Sequence, residues 1–151
     1  MSLFKFKPEI LTQPWLADVW PTFIRVFVGA LLVGHGGQKL FNGLDGFIQG
    51  IADKGWPFPQ FQGFMAVFVE FAGGVLLMVG LFTRPTALIN MGLFFIITFV
   101  WSYNAPFFAG KEKSLIFLVL CTYIFFLGPG RLSVDHYLFG KGNQPNNSGQ
   151  F

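Results

Sequence analysis

Residues 64–82 read FMAVFVEFAGGVLLMVGLF, an apolar run that a single charged residue, Glu70, interrupts near its middle. As an α-helix, these nineteen residues extend roughly 28 Å, which is about the thickness of the hydrocarbon core of a bilayer. A carboxylate at that depth costs several kcal/mol unless it is protonated or paired. The run therefore predicts a transmembrane helix, and Glu70 is expected either to have a partner inside the membrane or to do proton-linked work there.

The composition of the whole chain supports the same class. Of 151 residues, 53% are hydrophobic and only 11% are charged, against about 25% charged residues in an average soluble domain. Phenylalanine alone contributes 22 residues. A soluble domain of this length could not bury so much apolar surface. The net charge of +3 is scattered along the chain, so nucleic-acid binding is not expected.

Four apolar segments predict an all-α integral membrane four-helix bundle. They cover about residues 21–41, 60–82, 86–103 and 113–127, and the last ends at the helix stop Gly128-Pro129-Gly130. Between the first two spans, residues 44–60 predict a short interfacial segment, a helix with Phe47, Ile48 and Ile51 facing lipid.

The predicted organisation has three parts: an interfacial arm over residues 1–20, the four-span domain over residues 21–139, and a polar flexible tail over residues 140–151. Four spans place both termini on one side of the membrane. Positive charge on the two sides stands at five residues against four, which favours cytoplasmic termini. The five are Lys5, Lys7, Arg84, Arg131 and Lys141, and the four are Lys39, Lys54, Lys111 and Lys113.

Polar residues on three spans are expected to meet near one face of the membrane. His35 and Lys39 are four residues apart and share a helical face. Counted from the loop between the first two spans, His35 lies about 10 Å deep and Glu70 about 15 Å deep, so His35 is the predicted partner of Glu70. Glu112 opens the fourth span on the same side. The role of Glu70 stays open between an ion pair that fixes helix packing and a carboxylate that accepts a proton or orients a ligand.

At the other face, four charged residues are expected to form structural ion pairs or to bind anionic lipids: Arg25, Arg84, Arg131 and Asp135.

Small residues beside the polar cluster predict close packing of the first two spans, or a groove for a flat ring: Gly34, Gly36, Gly37, Gly73 and Gly74.

The chain offers little for a bound metal or cofactor. Cys121 is the only cysteine, and His136 is predicted at the face opposite to His35, so a bis-histidine haem lacks matched ligands. We therefore predict no metal and no covalent cofactor.

In their order and spacing, these residues resemble the DoxX family of small four-helix membrane proteins. The resemblance covers roughly residues 21–135. It rests on Arg25, the HGGQKLF segment at 35–41, Glu70 with Gly73-Gly74, Gly80 with Thr83-Arg84, Glu112, and GPGRLSVD at 128–135.

The resemblance implies a multi-pass protein of the bacterial cytoplasmic membrane, related to the small membrane subunit of thiosulfate:quinone oxidoreductase. One hypothesis is a quinone-interacting subunit in which His35, Lys39, Glu70 and Glu112 contact the ring, with electrons from a redox partner. The alternative is a non-catalytic subunit that packs against other transmembrane helices, lipids or pigments of a larger complex. In either case, membrane lipids and other membrane subunits are the expected partners, and catalysis by the chain alone is not expected.

Overall fold

A computed structural model describes residues 14–139, with side chains from residue 19 onward except that of Ala109. Within this range the chain is helical and contains no strand. The helices are α1 (Pro14–Asn42), α2 (Leu44–Asp53), α3 (Pro59–Val79), α4 (Thr83–Ile96), α5 (Glu112–Leu127) and α6 (Val134–Phe139). Two π-helical turns, Ile97–Trp101 and Phe107–Lys111, continue α4 and precede α5. The predicted all-α class is confirmed.

Among the described residues, three helices are long and apolar enough to cross a bilayer: Val19–Asn42, Pro59–Val79 and Thr83–Trp101. The fourth predicted span corresponds to α5, which has 16 residues. The π-helical turn directly before it continues the helix back to Phe107, so residues 107–127 are helical without a break. The bundle therefore has four long helical segments, as the sequence predicts.

The first helix begins earlier than predicted, at Pro14, and Pro21 lies inside it. An internal proline removes one backbone hydrogen bond but does not have to end a helix, and here the chain stays helical on both sides. Helix α1 therefore extends into the predicted arm over residues 14–20, while the division into arm, membrane domain and tail stays a prediction. Residues 1–13 and the predicted tail lie outside the described residues.

Helices α1 and α3 are antiparallel neighbours that approach closely at glycines. A Cβ added at Gly74 would lie 2.7 Å from the Gly29 carbonyl oxygen, and one at Gly36 would lie 2.7 Å from the Phe71 nitrogen. Gly29 was not singled out in the sequence. Gly34, which was, is exposed and has no atom within 4 Å of such a Cβ, because it lies on the outer side of α1.

The interfacial helix is present as α2, but its predicted orientation is wrong. Ile51 is 4% exposed, and Phe47 and Ile48 are partly buried. A Cβ added at Gly63 of α3 would meet the Ile48 and Ile51 side chains. The apolar face of α2 therefore packs on α3 rather than facing lipid, because Gly63 leaves room for both isoleucines.

A tight turn joins α3 to α4 and reverses the chain. Gly80 ends α3 in the left-handed region, at φ 74°, and its N–H donates to the Leu76 and Leu77 carbonyls. The amide of Leu81 donates to the same Leu76 carbonyl. This arrangement is a glycine-dependent helix end, and it forms the hairpin that the sequence predicts.

Candidate functional site

An ion pair between α1 and α3 accounts for the carboxylate in the middle of the apolar run. Glu70 is 1% exposed, and the Lys39 Nζ donates to both of its carboxylate oxygens, at 2.7 and 2.8 Å. The Lys39 side chain is 31% exposed, and its ammonium group lies 5.0 Å from the centre of the Phe47 ring on α2. The ammonium group of Lys39, on the neighbouring helix α1, thus compensates the charge of Glu70.

The predicted partnership of Glu70 with His35 is therefore wrong. His35 Nδ1 lies 2.9 Å from the Leu31 carbonyl oxygen, one turn earlier in α1. Because a carbonyl only accepts, Nδ1 donates in this hydrogen bond, and in the neutral ring Nε2 is then the nitrogen with the lone pair. Lys39 lies four residues after His35, on the same face of α1. It reaches Glu70 because its side chain is longer than that of His35.

His35 nevertheless lies beside the ion pair. Its ring stacks edge-on against Phe117 of α5, with 5.4 Å between ring centres. His35, Lys39 and Glu70 together line a small cavity of about 150 Å³, whose opposite wall includes Lys113, Ser114 and Phe117. The structure thus brings together three of the four residues of the predicted cluster.

Glu112 is the exception. The cavity is bounded by Lys113 and Ser114 of the same turn, and Glu112 is not among the residues that line it. Glu112 is the first residue of α5 and is partly buried outside this cavity. The predicted role of Glu112 in this site is therefore not supported by the geometry.

A larger cavity of about 470 Å³ adjoins the small one. Lys39, Ile97 and Gly110 line both, so the lysine side chain stands at their common wall. The larger cavity lies between α2, α3 and α4, and its wall is mainly apolar and aromatic: Phe47, Ile51, Trp56, Phe61, Met65, Ala66, Val69, Leu93, Ile96 and Trp101. Its volume falls in the range of small-molecule pockets, about 300–1,000 Å³.

Trp101 closes one side of the larger cavity, and its role was missed in the sequence. The Lys54 Nζ lies 3.9 Å from the centre of the Trp101 ring and donates a hydrogen bond of 2.7 Å to its carbonyl. Trp56 meets the same ring edge-on at 5.6 Å. The sequence places Trp101 near the end of a span, which is typical of a membrane-interface aromatic, and gives no signal that it faces the α2 loop.

Asn90 of α4 was also missed. Its side chain is fully buried, donates to the Thr86 carbonyl at 3.0 Å, and occupies the space beside Gly73. Gly73 therefore makes room for α4, whereas Gly74, next to it, makes room for α1. The predicted packing of both glycines against the first span holds only for Gly74.

At the opposite end of the bundle, Arg25 ties three segments together. It is 1% exposed and donates to the carbonyls of Leu77, of Met78 at 3.0 Å and of Leu132 at 2.8 Å. Of the two roles expected for Arg25, lipid binding is not supported, because its guanidinium turns inward to the carbonyls of Leu77 and Met78 at the end of α3.

Asp135 belongs to the same end and caps α4. Its two carboxylate oxygens accept from the backbone N–H groups of Phe82, at 2.7 Å, and Thr83, at 2.8 Å. Arg25 interacts with it electrostatically. Arg84 and Arg131 are both exposed at this end.

No group of three or more histidine, cysteine, aspartate or glutamate side chains lies close enough to hold a metal ion, as far as residues 14–139 are described. These features together define a small helical membrane protein with a buried ion pair beside an aromatic cavity.

The chain belongs to the DoxX family. The family model, described as DoxX, matches residues 20–102, so the resemblance drawn from the sequence is confirmed. The chain is 29% identical to the Bacillus subtilis protein named "Putative oxidoreductase CatD", over 83% of this chain and 92% of that protein. It is 27% identical to the Escherichia coli "Inner membrane protein YqjF", over 83% of this chain and 97% of that protein. An uncharacterised Haemophilus influenzae protein is 29% identical, over 93% of this chain and 98% of its own length. No solved structure matches the chain.

Proposed function

We propose that this protein is the membrane subunit of a redox-linked complex and binds a quinone in the cavities beside Lys39 and Glu70. The supporting observation is a compensated ion pair whose lysine lines both an aromatic cavity and a smaller cavity bordered by polar side chains. The name of the Bacillus subtilis relative agrees with redox chemistry. We place the protein in the bacterial cytoplasmic membrane, with both termini in the cytoplasm.

The residues fit a quinone in two respects. Flat aromatic walls, including Trp56, Phe61 and Trp101, suit a planar ring and an apolar tail. Lys39 offers a cationic donor to a ring oxygen at the boundary of the two cavities. A quinone bound there would accept electrons and protons, and the electrons would come from a partner protein.

The chain's own residues would handle the protons. Both carboxylate oxygens of Glu70 accept hydrogen bonds from Lys39, so a shift of the ammonium group toward a ligand oxygen would free them to accept a proton. His35 offers a second acceptor at Nε2, since its Nδ1 proton is engaged by Leu31. The ion pair and the histidine would thus exchange protons at the small cavity.

The proposal is tested by the binding of a short-chain ubiquinone analogue to the purified full chain, measured as quenching of its tryptophan fluorescence. Ala66 lines the larger cavity, so Ala66→Phe should fill it and weaken binding about tenfold or more. Ala30 is exposed on the outer side of α1, so Ala30→Phe is the matched control and should change affinity less than twofold. Equal affinities in the two variants would exclude these cavities as the quinone site.

The charged residues give the second arm of the experiment. Lys39→Gln should weaken binding about tenfold, since a hydrogen bond to a charged group contributes about 1.5–3 kcal/mol. Glu112→Gln removes a carboxylate that does not line either cavity and should have no effect on binding.

If quinone binding is absent, and Glu70→Gln leaves the activity of a copurifying partner intact, the alternative role as a non-catalytic packing subunit is favoured. Loss of assembly on removal of residues 1–13 would support that alternative.

A further inference from the structure

A separate cavity of about 400 Å³ lies at the other end of the bundle, where α4 begins and α5 ends. It is bounded by the start of α4, the turn after α5, and α6. Its walls combine exposed aromatic side chains, Phe82 and Phe139, with the polar side chains of Arg84, Asp135 and His136. An apolar wall beside charged groups at the end of a membrane-spanning helix is the surrounding that a phospholipid headgroup and its acyl chains require.

The carboxylate in this cavity is already compensated. Both oxygens of Asp135 accept backbone hydrogen bonds from Phe82 and Thr83, and Arg25 interacts with it electrostatically. Asp135 therefore neither needs Arg84 as a partner nor presents an uncompensated negative charge to an incoming anion.

Arg84 is the uncompensated charge. It is exposed as the second residue of α4, and within residues 14–139 no hydrogen bond or ion pair engages its guanidinium. The group lies against the turn after α5, where a Cβ added at Gly128 would be 3.2 Å from the Arg84 Nε. Gly128 thus leaves the space in which the guanidinium lies, at the wall of the cavity.

We propose that Arg84, together with His136, binds the phosphate of an anionic phospholipid whose acyl chain lies along Phe82 and Phe139. A guanidinium donates two parallel hydrogen bonds to a phosphate, which makes arginine the suitable residue for this group. A soluble phosphate ester shares the headgroup chemistry. The two exposed phenylalanines at a membrane-spanning end favour the lipid.

The test is native mass spectrometry of the purified full chain with phosphatidylglycerol and with phosphatidylcholine of the same acyl chains. The wild type should bind phosphatidylglycerol preferentially, and Arg84→Gln should reduce that preference about tenfold. Arg84→Lys, which keeps the charge and loses the paired donors, should fall in between. Arg131→Gln removes the same charge from the same end and should keep the wild-type preference, because Arg131 does not line the cavity.

Each result decides for or against the lipid site. Equal losses in Arg84→Gln and Arg131→Gln, or no loss in either, would overturn it. Displacement of the lipid by glycerol phosphate at equal concentration would also overturn it, because the site would then take a soluble phosphate ester. Retained thermal stability of Arg84→Gln would show that the variant is folded, and this readout does not depend on whether the protein binds a quinone.

Discussion

At the scale of single residues, the pairing of Glu70 with Lys39 decides how the chain tolerates a charge in the membrane. A buried ion pair adds little net stability, because the cost of taking two charges out of water offsets their attraction. Removing one partner, in contrast, leaves the other charge uncompensated and is strongly destabilising. The pair therefore contributes little to holding the helices together, although each partner depends on the other. Lys39 also lines both cavities, which is where the proposed ligand would contact it.

Lys39→Met should lower the free energy of unfolding by about 3 kcal/mol, toward the low end of the range for broken buried pairs because the lysine is partly exposed. The double variant Lys39→Met with Glu70→Leu should recover most of that loss, since no charge is then left unpaired. Unfolding by titration with sodium dodecyl sulfate in mixed micelles measures both. A double variant no more stable than the single one would show that the pair itself holds the helices together.

At the scale of helices, α1 and α3 pack through backbone contact rather than through large side chains. Gly29 and Gly74 face each other so closely that a Cβ on either would meet the backbone of the other. This contact brings Lys39 of α1 within reach of Glu70 of α3. The geometry of the ion pair therefore depends on two glycines, one of which lies ten residues away from the lysine.

Gly74→Ala should destabilise the protein by about 1–3 kcal/mol, because the new methyl group would lie 2.7 Å from the Gly29 carbonyl oxygen and 2.8 Å from the Val33 nitrogen. Gly34→Ala is the matched control. It lies in open space on the same pair of helices and should be neutral or stabilising by up to about 1 kcal/mol, from helix propensity alone. Thermal unfolding followed by circular dichroism distinguishes the two, and a Gly34→Ala loss as large as that of Gly74→Ala would refute the packing argument.

At the scale of the whole molecule, the two ends of the bundle differ in how they are held. One end is fastened by Arg25 and Asp135, which tie the end of α3, the start of α4 and α6 together. A side chain at Gly80 would meet the Arg25 guanidinium, so glycine is required there for space as well as for its positive φ. The other end carries the two adjoining cavities beneath α2 and the π-helical turns.

The orientation of α5 can be tested directly. If α5 with its preceding π-helical turn crosses the membrane, Asn104 and Arg131 lie on opposite sides. Single cysteines at Asn104 and at Arg131, in a Cys121→Ser background, should react with a membrane-impermeant maleimide from opposite sides of sealed vesicles. The wild type serves as the control and should not react, since Cys121 is fully buried. Labelling of both positions from the same side would show that α5 does not cross.

The amino-acid sequence by itself determined the membrane class, the helices and the family, because apolar runs of bilayer length, helix stops at glycine and proline, and motif order are local properties of the chain. It also placed His35, Lys39 and Glu70 near one another by depth along antiparallel helices. The sequence could not decide which of them pairs, because depth alone does not define the rotation of one helix against another.

Only the tertiary structure decided that Lys39 and not His35 meets Glu70, that Arg25 turns inward, and that the apolar face of α2 covers α3. Each of these outcomes depends on where a neighbouring helix leaves room: at Gly36 and Gly74 for α1 against α3, at Gly80 for Arg25, and at Gly63 for α2. A glycine is apparent in the sequence, but the side chain or backbone that occupies the space beside it is determined by the packing of the whole bundle.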